Sequence, residues 1–171
     1  MQAIKSIFFV LVLVSTLNAN AQSYNPFQKR TQSSEGFTGS SSALSGDGTS
    51  MSPVLIAAEQ IRQIVETQNL EIVHMQFDII RDEHEISRYI TDGFNYKVIA
   101  FADDRIEDLD LTAYRYNGSS WVEVKKDTDA KAICVIDLPR IAAEYRFKMK
   151  AYKKRSGYDG GHFGIMICHT K

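Results

Sequence analysis

The sequence predicts a mainly β protein, an antiparallel β-sandwich of jelly-roll type with seven or eight strands, preceded by one N-terminal α-helix. Two observations favour this fold class. From His84 onward, apolar and polar residues alternate in short runs, which is the period of a half-buried strand. Turn residues such as Asp92-Gly93, Asn117-Gly118 and Gly160-Gly161 separate those runs, and many short strands with regular turns are typical of sandwiches.

The first 21 residues are predicted to be a secretory signal peptide. Lys5 supplies positive charge, residues 7–14 are an unbroken apolar run, and Ala19-Asn20-Ala21 is a small-x-small cleavage signal. The apolar run is far shorter than the roughly 20 residues that a membrane-spanning helix needs, and no later segment approaches that length. We therefore expect cleavage after Ala21 and a secreted or periplasmic protein, the alternative being a short anchor that is never cut.

Composition limits the organisation and the partners of the chain. The formal net charge of −1 becomes about −2 once Lys5 is removed, which argues against nucleic acid as a partner. Residues 22–51 are rich in Ser, Gly and Thr without apolar periodicity, so we expect a flexible tether. Residues 52–171 are enough for a single domain with its own core.

The ordered domain is predicted to open with a helix over about 52–69. Ser52 suits the N-cap and Pro53 the first helical position. Apolar residues then recur at helical spacing, namely Ala58, Ile61 and Val65. Residues 70–80 are ambiguous, because alternate apolar positions favour a strand but a continued helix also fits. The sandwich itself is predicted over about 72–170.

Two of the predicted strands differ in character. Tyr96–Ala102 carries apolar residues on both faces, as expected of a strand in the middle of a packed sheet. Residues 145–152 alternate instead, so that one set faces the core and the other faces solvent. The outward set is Arg146, Lys148, Lys150 and Tyr152.

One arrangement of residues resembles a known family. It consists of Gly93-x-x-Tyr96-x-Val98-x-Ala100, Asp103-Asp104, Asp108-Leu109-Asp110-Leu111, Tyr114 and Asn117-Gly118. This pattern, together with the strands that follow it, resembles the bacterial pre-peptidase C-terminal domain family and small secreted bacterial proteins built on the same sandwich, over roughly 85–169. The resemblance implies a non-catalytic accessory or binding module. The chain departs from the pattern at Arg88, where an apolar inward residue is expected.

An acidic loop is the candidate metal site. Five carboxylates fall in a short span between strands: Asp103, Asp104, Glu107, Asp108 and Asp110. Calcium takes six to eight oxygen ligands in flexible geometry, and some members of the resembled family bind it, so we predict calcium as a possible cofactor here. The alternative is a solvated loop in which Asp108 and Asp110 face outward.

A basic stripe is the candidate binding surface. It comprises Arg146, Lys148, Lys150, Tyr152, Lys153, Lys154 and Arg155. A row of cations on one strand face suits an acidic polysaccharide, lipid headgroups or a partner protein. The alternative is the solvated face of an edge strand, where lysines discourage edge-to-edge aggregation.

The cysteines and histidines leave alternatives open. Cys134 and Cys168 each lie in an apolar, strand-like run, so they form either a disulfide in an oxidising compartment or two buried thiols. The four histidines either converge on a transition metal or are separate structural groups. They are His74, His84, His162 and His169.

Catalytic signatures are missing from the sequence. The run His84-Glu85-Ile86-Ser87-Arg88 begins like a zinc-peptidase motif, but Arg88 stands where the second metal-binding histidine belongs. No nucleophile elbow and no C-x-x-C pair occur. The sequence therefore predicts a secreted, non-catalytic module that binds a glycan, a peptide, an envelope component or another secreted protein. The alternatives are a structural cell-envelope protein and a metal-dependent hydrolase.

Overall fold

A computed structural model describes residues 50–170 of the 171-residue chain. The predicted signal peptide and the predicted tether lie outside the described residues, apart from Ser50 and Met51 at the end of the tether. The described part contains one helix and eight strands. They are α1 (Ser52–Thr67), β1 (Leu70–Ile80), β2 (Glu83–Ile90), β3 (Tyr96–Ala102), β4 (Ile106–Tyr116), β5 (Trp121–Asp127), β6 (Ile133–Asp137), β7 (Ala143–Lys154) and β8 (Gly161–Thr170).

The strands form two four-stranded sheets. Sheet I has the order β1-β8-β3-β6 and sheet II the order β2-β7-β4-β5, and every pairing in both sheets is antiparallel. The pairs β1 with β8, β2 with β7, β3 with β6 and β4 with β5 are those of one long antiparallel ribbon folded over on itself, which is the jelly-roll arrangement. The predicted sandwich with an N-terminal helix is confirmed.

The main core lies between the two sheets. Alternate residues of each strand face inward, as the predicted alternation of β7 required. The fully buried side chains of this core include Tyr145, Phe147, Met149, Phe163, Ile165, Leu109, Leu111 and Ile136.

A second core lies on the other side of sheet I, where α1 packs. Val54, Ala58, Ile61 and Val65 form the buried stripe of the helix. They meet outward-facing residues of sheet I: Ile99, Phe101, Met166 and Cys168. The two middle strands of sheet I, β8 and β3, are thus buried on both faces, which explains why β3 is apolar on both of its faces. Within residues 50–170, no helix combines the length and the apolar character needed to cross a membrane.

The ends of α1 differ slightly from the prediction. Met51, not Ser52, is the N-cap, and its side chain makes no capping hydrogen bond. The Ser52 N–H instead donates to Ser50 Oγ at 3.2 Å. The side-chain acceptor at the helix start is therefore Ser50 and not Ser52. At the other end Asn69 has a φ of 57°, a left-handed conformation that asparagine tolerates. The chain therefore turns directly into β1, and the ambiguous segment is a strand.

The hairpin between β4 and β5 is confirmed at Asn117-Gly118. The Asn117 side-chain oxygen accepts from the N–H groups of Ser119 (3.0 Å) and Ser120 (2.9 Å), while Gly118 takes a φ of 98° that favours glycine. This turn sets Tyr116 opposite Trp121 in the register of the two strands.

Candidate functional site

The outer face of sheet II is the surface on which the functional candidates lie. Helix α1 packs against β1, β3 and β8 of sheet I, so it covers only the other side of the sandwich. On sheet II the outward residues of β7 alternate with buried ones as predicted. Tyr152 and, on the neighbouring strand β2, Tyr89 are about two-thirds exposed, at 67% and 68%.

An aromatic cluster stands at the hairpin end of this face. The guanidinium carbon of Arg146 lies 4.1 Å from the centre of the Trp121 ring, within the range of a cation–π contact. The rings of Tyr116 and Trp121 are 5.4 Å apart and tilted by 51°. Tyr114 lies beside Arg146 in the register of β4 and β7. Three aromatic rings and one guanidinium therefore share a partly exposed patch.

Carboxylates on β2 match the cations in the middle of the face. Lys148 Nζ lies 2.6 Å from Glu83, and Arg146 Nε lies 3.8 Å from Glu85. The hydrogen bond that Lys148 donates to Glu83 raises the pKa of Lys148, since the bond favours the charged amine. This part of the basic stripe is an alternating set of donors and acceptors rather than a cationic surface.

The rest of the stripe lies towards the far end of β7, where three more ion pairs form. They join Lys153 to Glu107 (2.7 Å), Lys154 to Asp82 (2.9 Å) and Arg155 to Asp104 (2.8 Å). The alternative interpretation of the stripe as an edge strand is wrong, because β7 lies between β2 and β4 in the interior of sheet II. Its lysines therefore do not protect a sheet edge.

Asp103, the first member of the acidic loop, is buried and bound to protein partners. Its side chain is 0% exposed and accepts hydrogen bonds from the Arg105 side chain, from the Arg105 N–H at 3.0 Å and from the His162 N–H at 2.8 Å. Burial alone would raise the pKa of Asp103, but these hydrogen bonds outweigh burial and lower it. The arrangement anchors the turn after β3 and occupies oxygens that a metal would need.

The other four acidic residues do not gather around one point. Asp104 and Glu107 are in the ion pairs described above. Asp108 is buried, and its Oδ1 has no hydrogen-bond partner among the described residues. Burial, and then the Asp108 charge, raise the pKa of Asp110. Within residues 50–170 no group of three or more His, Cys, Asp or Glu side chains is placed to hold a metal ion, and the calcium site stays a prediction.

The solvated-loop alternative is wrong for two of the five carboxylates. Asp103 and Asp108 are 3% and 9% exposed as whole residues. The strand pairing around Asp108 is irregular on both sides, so the simple alternation that placed it outward does not hold there.

The two cysteines are free, buried thiols. Cys134 on β6 belongs to the core between the sheets, whereas Cys168 on β8 belongs to the core beneath α1. Strand β3 separates β6 from β8, so the thiols lie on opposite faces of sheet I with a strand between them. The disulfide alternative is therefore not the arrangement in this structure. Cys134 Sγ instead donates to the Leu109 carbonyl at 2.6 Å.

The four histidines, all within the described residues, form no group that could hold a metal ion. His162 lies against Arg105 beside Asp103. His169 packs on Phe94, with ring centres 4.3 Å apart. His74 and His84 lie on β1 and β2 at one edge of the sandwich. The run that begins like a zinc-peptidase helix is strand β2, so its side chains point to alternate faces and cannot share one helix surface.

A groove of about 560 Å³ lies between α1 and β1. It is lined by Arg62, Glu66, Leu70, Glu71, Ile72 and Met75. Arg62 is engaged by Glu59 and Glu66 on its own helix. Nothing among these residues selects a particular ligand chemistry.

Sequence reasoning missed the aromatic cluster and the Asp103–Arg105–His162 cluster as candidate sites. A signal for the first was available, because Tyr116 and Trp121 flank the predicted Asn117-Gly118 turn and facing hairpin positions pair across the strands. No comparable signal existed for the second, since Arg105 and His162 are 57 residues apart and meet only because the end of β3 pairs with the start of β8 in sheet I.

Comparisons with known proteins add little to this geometry. No family model and no curated protein sequence matches the chain, so the resemblance to the pre-peptidase C-terminal domain family stays a prediction. Among solved structures, the chain is similar to the crystal structure of a mitogen derived from Yersinia pseudotuberculosis, with 16% identity and a TM-score of 0.42. That alignment covers 59% of this chain and 86% of the mitogen.

Proposed function

We propose that this protein is a non-catalytic binding module and that its ligand, a glycan, lies on the outer face of sheet II. The observation that carries the proposal is the patch of Trp121, Tyr116 and Arg146 on a sheet face that α1 does not cover. Ring faces carry partial negative charge, so they attract the C–H groups of a sugar ring.

The neighbouring ion pairs supply the polar half of such a surface. A sugar hydroxyl both donates and accepts hydrogen bonds, and the face offers donors in Arg146 and Lys148 beside acceptors in Glu85 and Glu83. Since the cations are matched by carboxylates, we expect neutral or weakly charged glycans rather than strongly acidic ones. If the predicted signal peptide directs export, the ligand is met outside the cytoplasm.

One observation favours the alternative of a structural envelope protein without a small-molecule site. Surface ion pairs such as those on β7 also occur on solvated faces with no ligand, where each contributes little. The two functions differ in whether the aromatic patch recognises anything.

The experiment uses Trp121, which is the only tryptophan in the chain, as a fluorescence reporter inside the proposed surface. We expect a saturable change in its emission with some members of a panel of soluble oligosaccharides. Tyr116→Ala should weaken binding about thirty-fold if the tyrosine ring is a main contact, since such contacts contribute about 2 kcal/mol or more.

The matched control is Tyr158→Ala, which removes a 43%-exposed tyrosine from the loop between β7 and β8. It should leave affinity unchanged. An absence of response across the panel, or equal losses in both variants, would favour the structural alternative.

A further inference from the structure

The inward face of β1 is polar where a sandwich core is normally apolar. His74, Gln76 and Asp78 occupy successive inward positions, because each pairs in register with a residue of β8 that faces the main core. Those β8 residues are Ile167, Ile165 and Phe163.

Strand β2 brings more polar side chains to the same edge. His84 and Arg88 pair with Met149 and Tyr145 of β7, which are both fully buried, so they also point between the sheets. The His84 ring lies 4.9 Å from the ring of Phe163. Arg88, the residue that departs from the expected apolar pattern, thus projects into the gap between β1 and β2.

Arg88 carries a positive charge in this gap without an acidic partner. Its Nη2 donates to Gln76 Oε1 at 3.1 Å and lies 3.1 Å from His74 Nε2, and its Nη1 donates to the Ser87 carbonyl at 2.8 Å. All three partners are neutral groups, and none of the ion pairs found within residues 50–170 includes Arg88. A partly buried cation is normally paired with a charge, and a guanidinium has five N–H donors.

His74 is a direct neighbour of the Arg88 guanidinium. Arg88 can only donate, so His74 Nε2 accepts and the ring is neutral. Burial, followed by the charge of Arg88, lowers the pKa of His74. The remaining ionisable groups at this edge are Asp78 and His84, which lie 3.7 Å from each other, and Tyr145 behind Arg88.

We propose that the gap between β1 and β2 is a binding site for a small oxyanion, such as a carboxylate or a sulfate group of a ligand, held by the guanidinium of Arg88. Nη2 is already engaged by Gln76 and His74, so the Nε–H and the second Nη1 hydrogen are the donors left for the oxyanion. Hydrogen bonds from a charged guanidinium to an oxyanion are stronger than neutral ones. Asp78 lies on the same face of β1, two residues beyond Gln76, and its negative charge disfavours a long polyanion. The site is separate from the outer face of sheet II and does not rest on the glycan proposal.

The affinity of this site for an oxyanion should depend on pH. A bound oxyanion places negative charge beside His74 and offsets the effect of Arg88, which raises the pKa of the histidine. Because the bound form then takes up a proton more readily, affinity should increase as the pH falls through the range in which His74 titrates.

The test is a titration of the protein with sodium sulfate and, separately, sodium acetate, against sodium chloride at matched ionic strength. The signals of the His74 ring and of the Arg88 side chain are followed by NMR. We expect saturable shifts with at least one oxyanion and an upward shift of the His74 titration. The acetate and sulfate arms show which oxyanion chemistry the site prefers.

Variants assign the effect to Arg88. Arg88→Gln should weaken the response about tenfold or more, since a hydrogen bond to a charged group is lost, while Arg155→Gln should leave it intact. Arg88→Lys keeps the charge without the guanidinium donors and should retain only part of the response, which also covers the case in which Arg88→Gln fails to fold. Shifts that do not saturate, or that Arg155→Gln reduces equally, would overturn the proposal.

Discussion

Two polar residues, Asp103 and Arg88, differ in how the cost of burying their charge is offset. The Asp103 carboxylate receives hydrogen bonds from side-chain and backbone donors, so its burial is fully compensated. Arg88 is compensated only by neutral groups. Asp103 therefore stabilises the fold, whereas Arg88 retains N–H donors for the proposed oxyanion.

Replacing Asp103 should be costly. Asp103→Asn leaves Arg105, whose side chain is only 10% exposed, without its counter-charge, and breaking a buried ion pair in this way costs about 3–5 kcal/mol. Urea unfolding at neutral pH measures the loss. Asp104→Asn is the matched control, because Asp104 makes an exposed ion pair and should change stability little. Similar effects of the two variants would contradict the assignment.

The same residue predicts a pH dependence. The folded-state pKa of Asp103 is lowered, so its contribution to stability is complete above the unfolded pKa of about 3.9 and is lost as the pH falls through the folded value. The wild-type protein should therefore lose more stability below about pH 4 than Asp103→Asn does.

Among the elements, the buried stripe of α1 and the two-faced apolar pattern of β3 have the same cause, which is the packing of one on the other. The helix presents its buried stripe to one face of sheet I, and β3 answers with Ile99 and Phe101 on that face and with Val98 and Ala100 on the other. The two-faced apolar pattern of β3 thus requires a covering layer, which α1 provides.

A matched pair of isoleucines on α1 tests this packing. Ile61 is 6% exposed and Ile56 is 58% exposed. Ile61→Ala should destabilise the protein by about 2–4 kcal/mol, because it removes buried methyl groups and leaves a cavity. Ile56→Ala should have almost no effect. Denaturant unfolding compares them, and comparable losses would mean that α1 packs on another face.

At the scale of the whole molecule, residues 50–170 contain two cores that share sheet I. Each contains one thiol, so the cysteines report separately on the opening of the sandwich and of the helix layer. Burial raises the pKa of both thiols, that of Cys168 to about 11, and the thiol form reacts slowly.

At neutral pH we expect neither thiol to react with a thiol reagent until the structure around it opens. Cys168 should react before Cys134. Detaching one helix is a smaller opening than separating two sheets. Mass spectrometry of timed labelling gives the two rates, and denaturation without reductant should expose two reactive thiols. Equal rates would indicate a single cooperative unit, and no reactive thiols after denaturation would indicate a disulfide.

Whether a structural feature can be predicted from the sequence depends on how far apart in the chain the interacting residues are. The β alternation of residues 145–152, the helix with Ile61 and Val65 inward, and the turn at Asn117-Gly118 were predictable, because each follows from contacts between residues close in the chain. The first helical residue was misplaced by one position, since Ser50 supplied the acceptor at the helix start.

The candidate sites were less predictable. Composition alone suggested that the basic stripe was a cationic surface, but β2 places Glu83 and Glu85 beside it. The acidic loop was identified as one cluster, yet Asp103 turns inward to Arg105. The sequence shows which charged residues are present, but it does not show which opposite charges strand pairing places beside them.

The sequence by itself therefore determined the fold class, the helix that opens the domain, and the succession of strands and turns from His84 onward, because periodicity and turn residues act locally. Only the tertiary structure decided which charges meet, that Cys134 and Cys168 lie on opposite faces of sheet I, and that Arg88 projects between the sheets. Those outcomes depend on strand pairing between distant segments, such as β1 with β8, and register between strands carries no local signature.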